Sequence, residues 1–169
     1  MNLYFRLILI SILSRFKGKI GALDSSRSTF RCWPTDLDVL RHMNNGKYFS
    51  LMDLARVELM IRAGLLKKVS KKGWYPVIVA ETARFRKSIQ PFESFSIVTQ
   101  VIGWDEKAIL LKQSFYKGET LACEAVVRSR FLRKTGGSVS PQELMEMADI
   151  KGDSPQMEPW IESWNRSQS

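Results

Sequence analysis

Residues 35–64, TDLDVLRHMNNGKYFSLMDLARVELMIRAG, decide how the chain is read. The stretch opens on a crowd of polar side chains: Asp36, Asp38, Arg41, His42, Asn44 and Asn45. It then turns apolar. Between Lys47 and Ala63 there is no proline and no interior glycine, and Phe49, Leu51, Met52, Leu54, Ala55, Val57, Leu59, Met60 and Ile61 fall on nearly every face of a helix. A helix that is apolar on most sides must be buried on most sides. Asn44, Asn45 and Gly46 are N-cap and turn residues, and Gly64 suits the left-handed position that closes a helix. Asp53 with Arg56, and Glu58 with Arg62, sit at spacings that allow ion pairs along the helix.

Outward from this helix the chain reads as extended segments. Upstream, Ser28–Trp33 alternates Phe30 and Cys32 against Thr29, Arg31 and Trp33, as a strand does, and Pro34 stops it. Downstream, residues 65–73 carry Lys67, Lys68, Lys71 and Lys72 and read as a solvated loop, with an anion-attracting rim as the alternative. Four strands are predicted next, over 75–87, 94–104, 108–116 and 121–134. The short links between them, with 90–93 joining the first two, predict antiparallel neighbours in a meander. Pro141–Ala148 reads as a short helix capped by Ser140. The chain divides into a leader helix and connector over 1–27, a main domain over 28–150, and a tail over 151–169. The tail's Ser, Pro, Glu and Gln predict loose order, or docking through Trp160 and Trp164. One helix buried on most sides needs a curved sheet around it, so the class is α+β. Such a sheet keeps open edges, which predicts edge-to-edge dimerisation.

The leader contains LYFRLILISIL, residues 3–13, an apolar run broken by Arg6 and followed by Arg15, Lys17 and Lys19. A bilayer-spanning helix needs about 20 apolar residues. No basic segment precedes the run and no small-residue cleavage site follows it, which argues against a signal peptide. The reading is a helix packed on the protein's own body or on a partner subunit. The alternative is a helix lying on a membrane surface, a peripheral contact through Leu3–Leu13.

With 169 residues, 44% hydrophobic and 25% charged, the chain suits one soluble domain, and the two cysteines, Cys32 and Cys123, read as free buried thiols of a reducing, cytoplasmic setting. A single histidine argues against a zinc site. The net charge of +9 attracts polyanions: nucleic acid, anionic lipid, or a phosphate-bearing molecule such as coenzyme A. No nucleic-acid motif accompanies the charge, so nucleic acid is the weakest of these.

The motif Asp36-Leu37-Asp38, then His42-Met43-Asn44-Asn45, then Tyr48, resembles the D-x-D, H-V-N-N and Y signature of the hotdog-fold thioesterases. The branch it resembles is the 4-hydroxybenzoyl-CoA-thioesterase-like one and the plant acyl-carrier-protein thioesterases. Ile89-Gln90-Pro91-Phe92-Glu93 and Gly103-Trp104-Asp105 are also similar to hotdog sequences. The resemblance covers about 28–134. It implies a hotdog fold, a curved antiparallel sheet wrapped around one long central helix. It implies an acyl-thioester hydrolase acting on an acyl-CoA or acyl-carrier-protein thioester, as a homodimer or dimer of dimers. No metal or redox cofactor is expected, coenzyme A being part of the substrate.

Thioester hydrolysis needs an activated water or a carboxylate nucleophile, with donors for the oxyanion. The resemblance puts the carboxylate at Asp38, just ahead of a helix start whose free amides and positive dipole end favour an oxyanion. It puts the polarising backbone N–H near Asn45 and a catalytic histidine at His42. Asn44 and Tyr48 are expected at the substrate, although Asn44 and Asn45 also serve as turn and cap residues. Asp36 reads as a turn-fixing residue. Arg84, Arg86 and Lys87, with Arg130, Arg133 and Lys134, could meet coenzyme A phosphates or an acidic carrier protein. Phe49, Met52 and Val57 are candidate linings of an acyl channel. One departure stands out: Leu40 occupies the position of an Asn in the plant enzymes. That leaves a non-catalytic acyl-binding hotdog protein as the alternative. Asp53 and Glu58 are further carboxylates on the helix, set aside because of their expected local pairs.

Overall fold

A computed structural model describes residues 3–168. The elements are α1 (Leu3–Leu13), β1 (Ser26–Arg31), a 3-10 turn (Pro34–Asp36), α2 (Asn45–Arg62), α3 (Leu65–Lys71), β2 (Trp74–Phe85), β3 (Ser94–Trp104), β4 (Ile109–Lys117), β5 (Thr120–Arg133), β6 (Ser138–Val139), α4 (Pro141–Met147) and α5 (Pro159–Ser167). The helix α2 starts where the cap chemistry puts it. The Asn44 side chain accepts a hydrogen bond from the Gly46 amide at 2.8 Å, and Gly64, at φ +69°, ends the helix in the left-handed region. Leu51, Met52, Leu54, Ala55 and Leu59 of α2 are buried.

The strands form one antiparallel sheet in the order β1-β3-β4-β5-β2, with β6 beside β5. Phe115 of β4 and Cys123, Ala125 and Val127 of β5 face α2 and share its core. The alternation of strand side chains puts Leu110 and Val126 on the opposite face. Register shifts interrupt β2 between Ile78 and Ala80, β3 between Val101 and Gly103, and the β4–β5 pairing at Phe115 and Tyr116. Bulges of this kind bend strands, which lets the sheet curl around the helix.

The expected meander holds only for β3, β4 and β5. Strand β2 pairs with β5, not β3, and β1 takes the place beside β3, with Phe30 opposite Phe95. The cause lies in residues 90–93. The Phe92 amide bonds to the Cys32 carbonyl and the Cys32 amide to the Glu93 carbonyl, so this segment clamps the end of β1 instead of closing a hairpin. Strand β1 itself begins at Ser26, ahead of the predicted start, and buries Ser26, Ser28 and Phe30. The lysine-rich 65–73 is no loop: α3 forms there because Val69 is buried and anchors it. The Glu58–Arg62 pair does not form either. The segment after α1 runs along this side of α2, so Glu58 pairs with Lys17 at 2.7 Å and Arg62 bonds to the Gly18 carbonyl and the Ser26 hydroxyl.

The tail is not loose. Helix α5 lies on the sheet face away from α2, with Ile161 fully buried against Leu110 and Val126, and Met157 and Trp164 packed beside it. Asn165 accepts from Arg128 and donates to Asp105, both at 2.8 Å, and Arg128 pairs with Asp105. Trp160 stays largely exposed, so of the two expected tryptophans only Trp164 docks. The approach depends on Gly103. A Cβ there would stand 2.8 Å from the Ser154 hydroxyl and 2.9 Å from the Met157 sulfur. Gly103→Ala is therefore expected to lower stability by about 1–3 kcal/mol through overpacking. Urea unfolding followed by tryptophan fluorescence checks this.

Candidate functional site

The loop ahead of α2 is a closed, hairpin-like turn. The Asn44 amide bonds to the Asp36 carbonyl, Leu37 and Met43 form an antiparallel bridge, and the Asp38 amide bonds to the His42 carbonyl, the two bonds being 2.8 Å each. Arg41, at φ +62°, turns the chain. Val39 and Leu40 sit at the tip and are exposed, so the departure at Leu40 faces solvent. The base of the loop is pinned from two directions. The Met43 amide bonds to the Ile89 carbonyl at 3.0 Å, and Asp36, fully buried, accepts the Trp33 amide at 2.9 Å and pairs with Arg6 of α1.

Asp38 and His42 therefore stand opposite one another across this turn, and Asn45 follows three residues later at the helix start. Asp38 is half-buried. Its Oδ1 accepts from the Leu40 amide at 2.9 Å and the His42 amide at 3.2 Å, while Oδ2 makes no hydrogen bond among the described residues. The imidazole of His42 is half-buried and likewise makes no hydrogen bond among them. At the start of α2 the Gly46 amide is used by the Asn44 side chain and the Lys47 amide by the Asn44 carbonyl. The Asn45 amide has no partner among the described residues. One unengaged carboxylate oxygen and one unengaged helix-start amide thus belong to the same short loop, which can present a base and an oxyanion donor together.

Tyr48 stands apart from the other expected substrate residues. It is buried, its ring 5.0 Å from that of Phe85 and 4.9 Å from that of Phe115, so it braces the first turn of α2 from the core. Burial pushes its phenol up to about 12. The Tyr48–Phe85 contact fixes the end of β2 against the helix start, and Arg84, Arg86 and Lys87 are exposed there. Arg133 is not free for a ligand, since it pairs with Glu143 at 2.7 Å and stacks on Trp74. Both thiols are buried and unbonded to each other. Burial, helped by Asp36, pushes Cys32 up to about 11, and burial pushes Cys123 up to about 12. An unfolded thiol titrates near 9, so this contribution to stability is complete below that pH and drains away as pH rises toward the folded values. The expected result with a thiol reagent at pH 8 is no labelling of native protein and full labelling in denaturant.

Further along α2 lies an apolar cavity of about 200 Å³. Val57, Met60, Ile109, Leu111, Phe131 and Leu144 are among the side chains that wall it. Of the expected channel residues Val57 lines it, whereas Met52 is fully buried and Phe49 packs against the core. Asp53, which also borders the cavity, lies about 12 Å along the axis from Asn45 by the helix rise. Its carboxylate pairs with Arg56, as its spacing predicts. Arg56 also reaches Gln113 at 2.6 Å and Glu81 at 3.6 Å. Burial pushes the Glu81 carboxyl up against the opposing pull of Arg56. Reasoning from sequence overlooked Arg6 and Glu81. The lone charge inside the apolar leader was a signal for the first; nothing local marked the second.

Comparison with known proteins now bears on this arrangement. A family model described as the thioesterase-like superfamily matches residues 32–164, which contain the loop, α2 and nearly all of the sheet. The chain belongs to the thioesterase-like superfamily. Within that superfamily it is similar to Protein THEM6 of Xenopus laevis, 32% identical over 131 residues that make up 78% of this chain and 62% of the relative. The chain spans about three-fifths of the length of the curated relatives it matches. Among solved structures it resembles the YbaW probable thioesterase of Escherichia coli, with a TM-score of 0.67 at 18% identity over 74% of this chain and 98% of that one. It also resembles a 4-hydroxybenzoyl-CoA thioesterase in complex with 4-hydroxybenzoyl-CoA, with a TM-score of 0.66 at 20% identity over 73% of this chain and 98% of that one. These likenesses establish the hotdog fold for this superfamily member.

Proposed function

We propose that the chain hydrolyses acyl thioesters, with Asp38 as the carboxylate and the Asn45 amide as the oxyanion donor. The observation that carries the reading is the pairing, in one loop, of an unengaged Asp38 Oδ2 with an unengaged first amide of α2. A thioester carbonyl resting on that amide gains charge as it is attacked, and the positive end of the helix favours the charge. Asp38 then takes a proton from water or attacks the carbonyl itself. The two amides held on Oδ1 fix the carboxylate and leave Oδ2 unengaged. His42, across the turn, is a second proton carrier for the leaving thiolate. Asn44 keeps the helix start in shape through its cap.

The exposed Arg84, Arg86 and Lys87 supply the phosphate-facing side, and guanidinium geometry suits coenzyme A phosphates. The apolar cavity along α2 is the room for the acyl chain. Its lining favours an aliphatic group over a polar one. The open edge of β2, where Tyr75, Ile78, Val79 and Phe85 are exposed, supports a homodimer that continues the sheet. The cover of α5 on the far sheet face speaks against assembling two dimers through that face.

The exposed Leu40 favours a second reading, an acyl-binding protein without hydrolysis. A screen of free-thiol release over acyl-CoAs of graded length, repeated with acyl carrier protein, separates the two. Turnover of an aliphatic member supports the hydrolase. Saturable binding with no thiol released by any substrate selects the binding protein and rejects the catalytic roles.

A further inference from the structure

The polarity of α1 runs opposite to that of a helix folded for its own protein's core. Its inward side carries Arg6, Ile10 and, just past its end, Ser14, all buried, and Arg6 is paired with Asp36. Its outward side carries Phe5, Ile8, Leu9, Ile12 and Leu13, with Phe16 following, all exposed; Ile8 is 59% and Phe16 84% accessible. The one charge of the helix is spent inside while its large apolar side chains face out. A contiguous exposed apolar strip of this size marks a contact surface. An apolar groove beside it, bordered by Leu9, Leu13, Phe30 and Trp33, widens the same face, and Trp33 in turn touches the exposed Phe92.

Charge selects what this face meets. Between residues 3 and 23 there are four basic side chains, Arg6, Arg15, Lys17 and Lys19, and no acidic one. Arg15 and Lys19 are exposed directly after the helix, beside the apolar strip, while Lys17 is paired with Glu58. Two copies meeting through this face would bring like charges together. No helix among the described residues is long and apolar enough to cross a membrane. A short apolar face rimmed by cations fits the boundary of an anionic lipid surface, where the apolar side chains reach the acyl region and the cations meet headgroups.

We infer that the outward face of α1 docks the protein on an anionic membrane surface. The Arg6–Asp36 pair holds α1 to the base of the Asp38 loop, so docking sets that loop next to the lipid. Vesicle flotation of the full chain tests this independently of thioester turnover, because flotation reads the face and thiol release reads the loop. The expected result is retention on phosphatidylcholine vesicles that contain phosphatidylserine, much weaker retention without it, and release by high salt. The F5S/I8S/I12S variant is expected to lose more than about tenfold in partitioning. The R15Q/K19Q variant changes only exposed side chains, which keeps it folded, and it is expected to bind both vesicle types alike and weakly. The inference is overturned if the wild type floats with neither vesicle or equally with both. It is also overturned if F5S/I8S/I12S, folded by circular dichroism, floats like the wild type. A concentration-dependent dimer in lipid-free solution that this variant dissociates would assign the face to a second copy instead.

Discussion

Replacing Asp38 with Asn is expected to lower thioester turnover by about 10²–10⁴-fold, the range for losing a positioned proton acceptor. The urea unfolding midpoint is expected to stay close to that of the wild type. The geometry separates the two effects. The turn depends on Asp38 Oδ1, which accepts the Leu40 and His42 amides, and an asparagine carbonyl oxygen accepts both equally well. In the proposed mechanism the working oxygen is Oδ2, which Asn replaces with an amide nitrogen that neither takes a proton nor attacks a carbonyl. Asp38→Ala removes both functions, so it is expected to lose turnover and also about 1 kcal/mol of stability with the turn. Comparing the two variants on an acyl-CoA that the wild type cleaves checks the assignment. Turnover of Asp38→Asn equal to the wild type would remove Asp38 from the mechanism.

The largest stability effect is expected at Arg6. Both members of the Arg6–Asp36 pair are buried, with side chains 4% and 2% exposed. Arg6→Met leaves the Asp36 carboxylate buried without its cation, which costs about 3–5 kcal/mol. In a chain of this size that lowers the thermal midpoint by roughly 6–20 °C. Among the described residues the Asp36 carboxylate then retains only the Trp33 amide, and its backbone carbonyl receives Asn44, so the loss reaches the base of the loop as well as α1. Turnover is therefore expected to fall along with stability. The double variant R6M/D36N removes the stranded charge and is expected to be more stable than R6M alone. A double-mutant cycle on unfolding free energies measures the coupling. Additive single effects would show that the pair does not join α1 to the loop.

The fold was legible where the chain's local chemistry and its packing agree. Asn44 and Gly64 marked the ends of α2 because a cap and a left-handed residue are set by local backbone needs. Ser140 marked the start of α4 in the same way, and in the structure Glu143 completes a capping box with it. Pairing order was not legible, since it depends on bonds between Cys32 and residues 92 and 93, far apart in the chain. A lysine-rich stretch hid α3 because one buried Val69 outweighs its solvated neighbours. Composition left the tail between loose order and docking through its tryptophans; Trp164 does dock, but the residues that hold the tail are Ile161 and Asn165, whose partners lie on β4, β5 and the turn at Asp105.

At the site, Asp38, His42 and Asn45 were readable as one loop ahead of one helix, and the hydrogen bonds of that loop follow from its turn residues. Tyr48 belonged to the same motif but faces the core, because its position in the first turn of α2 points it at Phe85 and Phe115. Arg6 could not be matched to Asp36 from sequence, since thirty residues separate them. Nor could the cavity be drawn, because it collects side chains from α2, α3, α4 and four strands.

The amide of Asn45 is the most direct witness to the proposed chemistry. Titrating nitrogen-15-labelled protein with a thioether analogue of an acyl-CoA, which cannot be cleaved, reads that amide in solution. The proposed site predicts saturable shifts at Asn45 and Gly46 and at Arg84, Arg86 and Lys87, with Val57 and Met60 following as the acyl chain lengthens. Saturation with those amides unmoved, and the shifts gathered elsewhere, would contradict it.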